Sequence, residues 1–286
     1  MKKLRLKQND NLKNGVLNMT VLIKGAGDLA TGVAVRLHNC GFKVVLTELE
    51  KPTTVRRSVA FSCAVYEGET VVEGVTAVLC ADISEALAAL AEGKCAVVVS
   101  PLAQIAKELH PNAIIDAIIA KKNLGTAITD APIVVALGPG FTAGDDCHAV
   151  VETKRGHNLG RVIYSGSAAP NTGVPGEIAG FSSERILRAG CDGVFNPIFD
   201  IGVIVKAGDI VATVDGTPVC ASISGIIRGM LPPNTPVTKG MKSGDIDPRA
   251  VEEYCYSVSD KARAIAGGVL EAILHLTQKA VAENNE

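Results

Sequence analysis

Residues 20–48 constrain the fold more than any other stretch of the 286-residue chain. Thr20–Lys24 (TVLIK) is a short apolar, β-branched run that ends at Gly25-Ala-Gly-Asp-Leu-Ala-Thr-Gly32. A helical pattern follows, with Val33 and Leu37 on one face, and stops at Asn39-Cys40-Gly41. Residues 42–48 (FKVVLTE) then read as a second strand. Strand, glycine turn, helix and strand make a βαβ unit, which implies a parallel sheet with helices on its faces.

The glycine turn has a chemical reading. Gly25 and Gly27 let backbone approach a pyrophosphate, whose charge would sit on the helix N-terminus. The third glycine of the dinucleotide fingerprint is displaced to Gly32, with Ala30 in its usual place, and both are small enough for close helix–strand packing. Glu48, at the end of the second strand, is placed for a ribose 2′-hydroxyl and so favours NAD over NADP. Asp28 works against an anion unless its carboxylate points away. Lys51, Arg56 and Arg57 follow at once and read as a phosphate or carboxylate clamp, or as a solvated loop.

Further strands are expected at residues 76–79 and 96–99, and helices at 84–91 and 111–121. Residues 126–130 and Ile133–Leu137 complete an alternating region, giving a Rossmann-like domain over 19–138. Residues 149–153 and 161–164 read as strands, and 193–249 is β text with regular glycine turns. Its lines VIVKAGDIVATVDGTP and KGMKSGD resemble a biotinyl/lipoyl hammerhead, but the hairpin tip at Asp215-Gly216 holds no lysine. No biotin or lipoate is therefore expected. The full expectation is an α/β chain: a loose extension over 1–18, the Rossmann-like domain, a mostly β domain over 139–256 with its hammerhead-like part at 191–249, and a C-terminal helix over 257–286. In that helix Ser259 or Asp260 is the N-cap, and Ala262, Ile265, Ala266, Val269, Leu270, Ile273 and Leu274 form the apolar face.

The densest polar text is GPGFTAGDDCHAVVETKRGH, residues 138–157. Gly138, Gly140 and Gly144 can form a nest of N–H groups for an anion. On a strand through 147–153, His148, Val150 and Glu152 share one face and Cys147, Ala149 and Val151 the other. Two chemistries fit. Cys147 beside His148, Arg155 and His157 can be an activated thiol, a nucleophile or chalcogen carrier. Alternatively His148, Glu152 and His157 ligate a metal, with Cys147 or water completing the shell. The bland reading is a packed cysteine on a satisfied polar strand.

Composition narrows the classes. With 28 Lys+Arg against 30 Asp+Glu, the formal net charge of -2 gives no general attraction to nucleic acid or anionic lipid. An aromatic content of 3% without Trp supplies a base-stacking surface poorly. At 47% apolar residues the chain can bury a core and readily form a homo-oligomer. The 8 cysteines include no C-x-x-C pair, which argues against a zinc ribbon or a disulfide scaffold. The basic leader lacks an apolar signal core and no apolar run is long enough to span a bilayer, so a cytoplasmic protein is expected, with Met19 as a candidate natural start.

At the level of long motifs, VLIKGAGDLATGVAVRLHNCGFKVVLTELEKPTTVRRSVAFSCAVYEG resembles the opening of the YqeB family of selenium-dependent molybdenum hydroxylase accessory proteins. ALGPGFTAGDDCHAVVETKRGHNLGRVIYSG and KGMKSGDIDPR are similar to the family's later signatures. The resemblance runs from Thr20 to the C-terminal helix. It implies an accessory role in maturing a selenium-dependent molybdenum hydroxylase, with selenium or molybdopterin handled for insertion, and it carries no settled set of catalytic residues. Two other classes stand beside it: an NAD-dependent oxidoreductase with His148 or His157 as acid/base, and a docking scaffold that binds the hydroxylase through the hammerhead-like part.

Overall fold

A computed structural model describes residues 18–285, with side chains through 282, so the extension expected over 1–18 lies outside the described residues except for Asn18. The chain divides into two compact units, one of Met1–Glu50, Phe61–Asn171 and Ser259–Glu286, the other of Lys51–Ala60 and Thr172–Val258.

The first unit carries, in order, β1 (Thr20–Lys24), α1 (Asp28–Asn39), β2 (Lys43–Glu48), α2 (Ala64–Glu67), β3 (Glu69–Val72), β4 (Val75–Cys80), α3 (Ile83–Ala91), β5 (Cys95–Val99), α4 (Ala106–Leu109), β6 (Ala113–Asp116), β7 (Ile133–Leu137), β8 (Thr142–Ala143), β9 (Ala149–Val151), β10 (Val162–Ile163) and β11 (Gly166–Ser167). Nine strands form one sheet in the order β10-β9-β7-β6-β1-β2-β5-β4-β3. Neighbours from β9 to β4 all pair in parallel, and only the edge strands β10 and β3 run antiparallel. The central strands are buried on both faces, with Val21, Leu22, Ile23, Val44, Val45 and Leu46 all at 0% exposure, which is why they read as unbroken apolar runs. The order reverses at β1, whose neighbours are β2 on one side and β6 on the other.

The expected helix over 111–121 is instead β6 and an irregular loop. Ile114, Ile115, Ile118 and Ile119 repeat at helical spacing, but a short apolar run fits either state, and pairing with β1 and β7 decides for the strand. Residues 126–130 likewise form a turn. The expected domain boundary at 138 moves to about Thr172, because β9 pairs with β7 and extends the first sheet. Asp82 caps α3, accepting from the Glu85 N–H at 3.0 Å, while Glu85 accepts from the Ala81 N–H at 2.8 Å.

The second unit contains β12 (Ile186–Arg188), β13 (Gly193–Pro197), β14 (Ile204–Val205), β15 (Ile210–Val214), β16 (Thr217–Cys220), β17 (Gly225–Met230), β18 (Thr235–Val237), β19 (Lys242–Asp247) and α5 (Glu253–Tyr256). Two four-stranded sheets, β12-β19-β17-β14 and β16-β15-β13-β18, share one core that includes Leu187, Phe195, Val211, Val214, Ile227 and Ile246. β15 and β16 form a hairpin closed by Asp215-Gly216, both at positive φ (44° and 83°), the backbone of a type I′ turn. The basic cluster belongs to this unit, where Lys51 is exposed and the two arginines are bonded to the unit's own groups. Arg56 is buried and donates to the Tyr254 and Ser257 carbonyls, and Arg57 pairs with Asp200 and donates to the Met230 carbonyl. On β19, Asp245 pairs with Arg185 at 2.6 Å, and fully buried Asp247 pairs with Arg228 and Arg249. Burial pushes the Asp247 carboxyl up, but those arginines hold it below its ordinary value.

The chain then rejoins the first unit as α6 (Asp260–Asn285). Ser259 caps it, its Oγ accepting from the Ala262 N–H at 3.2 Å. The buried stripe runs through Ala262, Ile265, Ala266, Val269, Ala272, Ile273 and Ala280, while Leu270 and Leu274 lie at its margin.

Candidate functional site

The turn between β1 and α1 is built around Ala26. Its N–H donates to Glu48 Oε2 at 3.0 Å. Its carbonyl accepts from the Ser62 N–H at 2.9 Å and from Thr31 Oγ1 at 3.2 Å. The other Glu48 oxygen accepts from the Leu49 N–H at 2.8 Å, and burial pushes the Glu48 carboxyl up from its ordinary value against those two bonds. Gly25 donates to the Thr47 carbonyl and takes a φ of +95°, and a Cβ there would stand 3.2 Å from the Ala117 carbonyl oxygen. Only glycine allows β1 and the end of β6 to approach so closely. Gly27 is the N-cap of α1 in an extended conformation (φ −66°, ψ −179°) and brings no side chain of its own to cap the first turn. The first-turn amides and the helix dipole together make this end of α1 attractive to an anion. Asp28, half-exposed in the first turn, offsets part of that field. Gly32 is buried within α1 and takes no part in the turn. Gly25, Gly27, Asp28 and Glu48 are thus brought to one place, at the reversal of strand order, where open α/β sheets hold their ligands.

Beside this turn lies a polar network that the sequence reading missed. Lys24, the last residue of β1, donates to Thr126 Oγ1 at 2.9 Å and pairs with Asp130 at 3.3 Å. Thr126 donates to buried Asp116, the last residue of β6, at 2.6 Å. Asn123 accepts from the Gly125 and Thr126 N–H groups and donates to Asp146, which in turn accepts from the Thr142 N–H. The network fastens the loop after β6 over the carboxyl ends of β1 and β6. Its one signal in the sequence is a lysine directly before the glycine turn. Asp116 was hidden by the helix read into 111–121.

The region 138–157 is arranged differently from expectation. Gly138 donates to the Val151 carbonyl and Gly144 to the Cys147 carbonyl, so these amides close backbone bonds. A Cβ on Gly140 would stand 2.6 Å from Lys122 Cα, so that glycine serves a close backbone approach. Two of the three glycine amides are therefore already committed to backbone carbonyls. Cys147 is at 0% exposure in a cluster with Val134, Ala136, Phe141, Ala143 and Val150, and burial pushes its thiol up to about 12. A thiol in that state is not an activated nucleophile. The regular strand covers only Ala149–Val151, so Cys147 and Val150 meet in one cluster although alternation assigned them opposite faces.

Glu152 is buried and accepts from the Lys154 and Ala169 N–H groups, both at 2.7 Å. His148 Nδ1 accepts from the Val134 N–H at 3.0 Å, and burial, with Lys279 nearby, lowers the imidazole pKa. Arg155 forms a two-bond pair with Asp260 at 2.6 and 2.8 Å, and His157 is exposed. Among the described residues no group of three His, Cys, Asp or Glu side chains is gathered to hold a metal, which removes the His148–Glu152–His157 ligand set. Among them, too, no helix is long and apolar enough to cross a membrane.

Comparison with known proteins adds one strong similarity. The chain is 50% identical over 266 residues, 93% of its length, to a protein of Escherichia coli (strain K12) named uncharacterized protein YqeB. It spans about half of that relative, 49% of its length. No family model matches. Among solved structures, an aspartoacylase family protein of Mesorhizobium loti aligns with 80% of this chain and 84% of its own at 11% identity and a TM-score of 0.25. The ectoine utilization protein EutE (DoeB) of Ruegeria pomeroyi aligns with 80% of this chain and 85% of its own at 12% identity and a TM-score of 0.26. Similarity that shallow bears on neither fold nor chemistry.

Proposed function

We propose that this chain, whose identity to YqeB supports the YqeB family, is an accessory protein for maturing a selenium-dependent molybdenum hydroxylase, and that it works by holding a phosphate-bearing ligand without bonding to it covalently. The observation that carries the binding half is the glycine turn between β1 and α1, where Gly25, Gly27 and Glu48 meet at the reversal of strand order. In this reading the first unit is Rossmann-like. Glycine backbone and first-turn amides receive the phosphate, Glu48 accepts from hydroxyls or N–H groups of the ligand, and the Lys24–Thr126–Asp116 network keeps the loop after β6 in place. The hydroxylase half rests on the resemblance to the family. The hammerhead-like second unit, with no lysine at its tip, suits a surface for the client better than a carrier arm.

Gly27→Asp separates structure from binding. Gly27 already has the extended backbone of an N-cap, so an aspartate there would cap the first turn, keep or raise stability, and repel a phosphate. Cells fed selenite and carrying this variant should assemble the chain normally and lose hydroxylase activation. Full activation would remove the α1 terminus from the function. An NAD-dependent oxidoreductase is the second reading, favoured by the placement of Glu48 against the glycine turn. Turnover of NADH with a small carbonyl compound, weakened by Glu48→Ala, would establish it in place of the first.

A further inference from the structure

The second unit carries a ridge of apolar side chains around the turn between β13 and β14. The Val203 N–H donates to the Asp200 carbonyl and closes that turn, which brings Ile198 and Phe199 on one side close to Val203 and Ile204 on the other. The Ile198 and Phe199 amides both donate to the Val211 carbonyl, so Ile210 on β15 lies alongside. Tyr256 is fixed to the same turn. Its hydroxyl donates to the Ile201 carbonyl at 3.3 Å, and a Cβ on Gly202 would stand 2.5 Å from that hydroxyl oxygen. Val205 faces the core, so Ile204 beside it leaves the opposite face of the sheet. Here Ile198 is 54% exposed, Ile204 67%, Ile210 47% and Tyr256 51%. β14 is also the last strand of its sheet, and among the described residues no strand pairs with its outer edge. Apolar side chains gathered beside an open strand edge mark a surface made to be covered.

We propose that this ridge seats the polypeptide equivalent to the rest of the Escherichia coli relative. The stretch shared with this chain makes up 49% of that relative, so a body of similar size accompanies it in one molecule. Such a body packs on its neighbour through a face whose centre is apolar, aromatic and poor in charge. The ridge has that composition. Its nearby charges are engaged within the unit, Asp200 with Arg57 and Asp209 with the Lys206 N–H at 2.7 Å. The occupant is therefore apolar where it meets the ridge, and it can add a strand to the open edge of β14. A second copy of this chain is the competing occupant, and it would set the ridge against itself about a two-fold axis.

Maleimide labelling read by peptide mass mapping tests the seat on whole proteins. Ile204→Cys is made in this chain, with Thr217→Cys near the hairpin tip as a control, and both are repeated at the aligned positions of the full-length relative. Both side chains are exposed here, so the variants should fold. Thr217→Cys should react at one rate in the two proteins. Ile204→Cys should react about tenfold or more slowly in the relative than in this chain, at every protein concentration, because a covered thiol is out of reach of the reagent. Equal rates for Ile204→Cys in the two proteins would overturn the proposal. A slow rate that rises on dilution, in either protein, would also overturn it, since the ridge would then be covered by a second copy.

Discussion

Cys147 shows how environment decides what a residue can do. Its neighbours in sequence, Asp146, His148, Glu152 and Arg155, suggest an activated thiol, yet each of these four is bonded elsewhere and the sulfur is enclosed by apolar side chains. Alkylation of the native chain at neutral pH should therefore modify exposed Cys220 and spare Cys147, as peptide mass mapping would show. Rapid labelling of Cys147 would restore the carrier chemistry. His148 makes a second residue-scale case. Its folded pKa is lowered from 6.5, so its contribution to stability is complete above that value and is lost as pH falls from 6.5 through the lower folded value. Asparagine can supply an acceptor to the Val134 N–H without titrating. His148→Asn should flatten the fall in melting temperature as pH drops below 6.5, and an unaltered slope would contradict the assignment.

At the scale of elements, α6 packs through two adjacent glycines with opposite demands. A Cβ on Gly268 would stand 2.2 Å from the Gly160 carbonyl oxygen, whereas one on Gly267 meets nothing within 4 Å. Gly267→Ala should stabilise the chain by up to about 1 kcal/mol through helix propensity alone. Gly268→Ala should destabilise it by about 1–3 kcal/mol, because backbone must move. Denaturant unfolding of both variants measures the contrast, and equal effects would refute the close approach. The elements the sequence made legible are those with a period or a cap. β1, α1 and β2 follow from TVLIK, the glycine turn and FKVVLTE. α3 was expected over 84–91, without the Asp82 cap that starts it a residue earlier, and the Asp215-Gly216 hairpin follows from its turn residues. β6 was missed because four isoleucines at helical spacing say nothing about which strands lie alongside them.

Over the whole molecule the chain is not laid out as one domain after another. Residues 51–60 leave the first unit for the second, and Ser259 onward returns to the first. Local text cannot show such exchanges, since they depend on β9 pairing with β7 and on Val55 and Arg56 packing against β17. The same holds for function. Gly25, Gly27, Asp28 and Glu48 were legible because the βαβ unit places them within one local motif. Lys24, Asp116 and Thr126 come together only through sheet order. The residues of 138–157, adjacent in sequence and rich in reactive types, turn out to be bonding partners of backbone and neighbours.

The central claim is that the first turn of α1 receives a phosphate. Titrating the 15N-labelled chain with inorganic pyrophosphate, and following the Gly27, Asp28 and Leu29 amide resonances, tests it most directly. Saturable shifts at those amides that vanish in folded Gly27→Asp are the predicted result. A spectrum in which they stay in place, or in which Gly27→Asp shifts as the unaltered chain does, would contradict it.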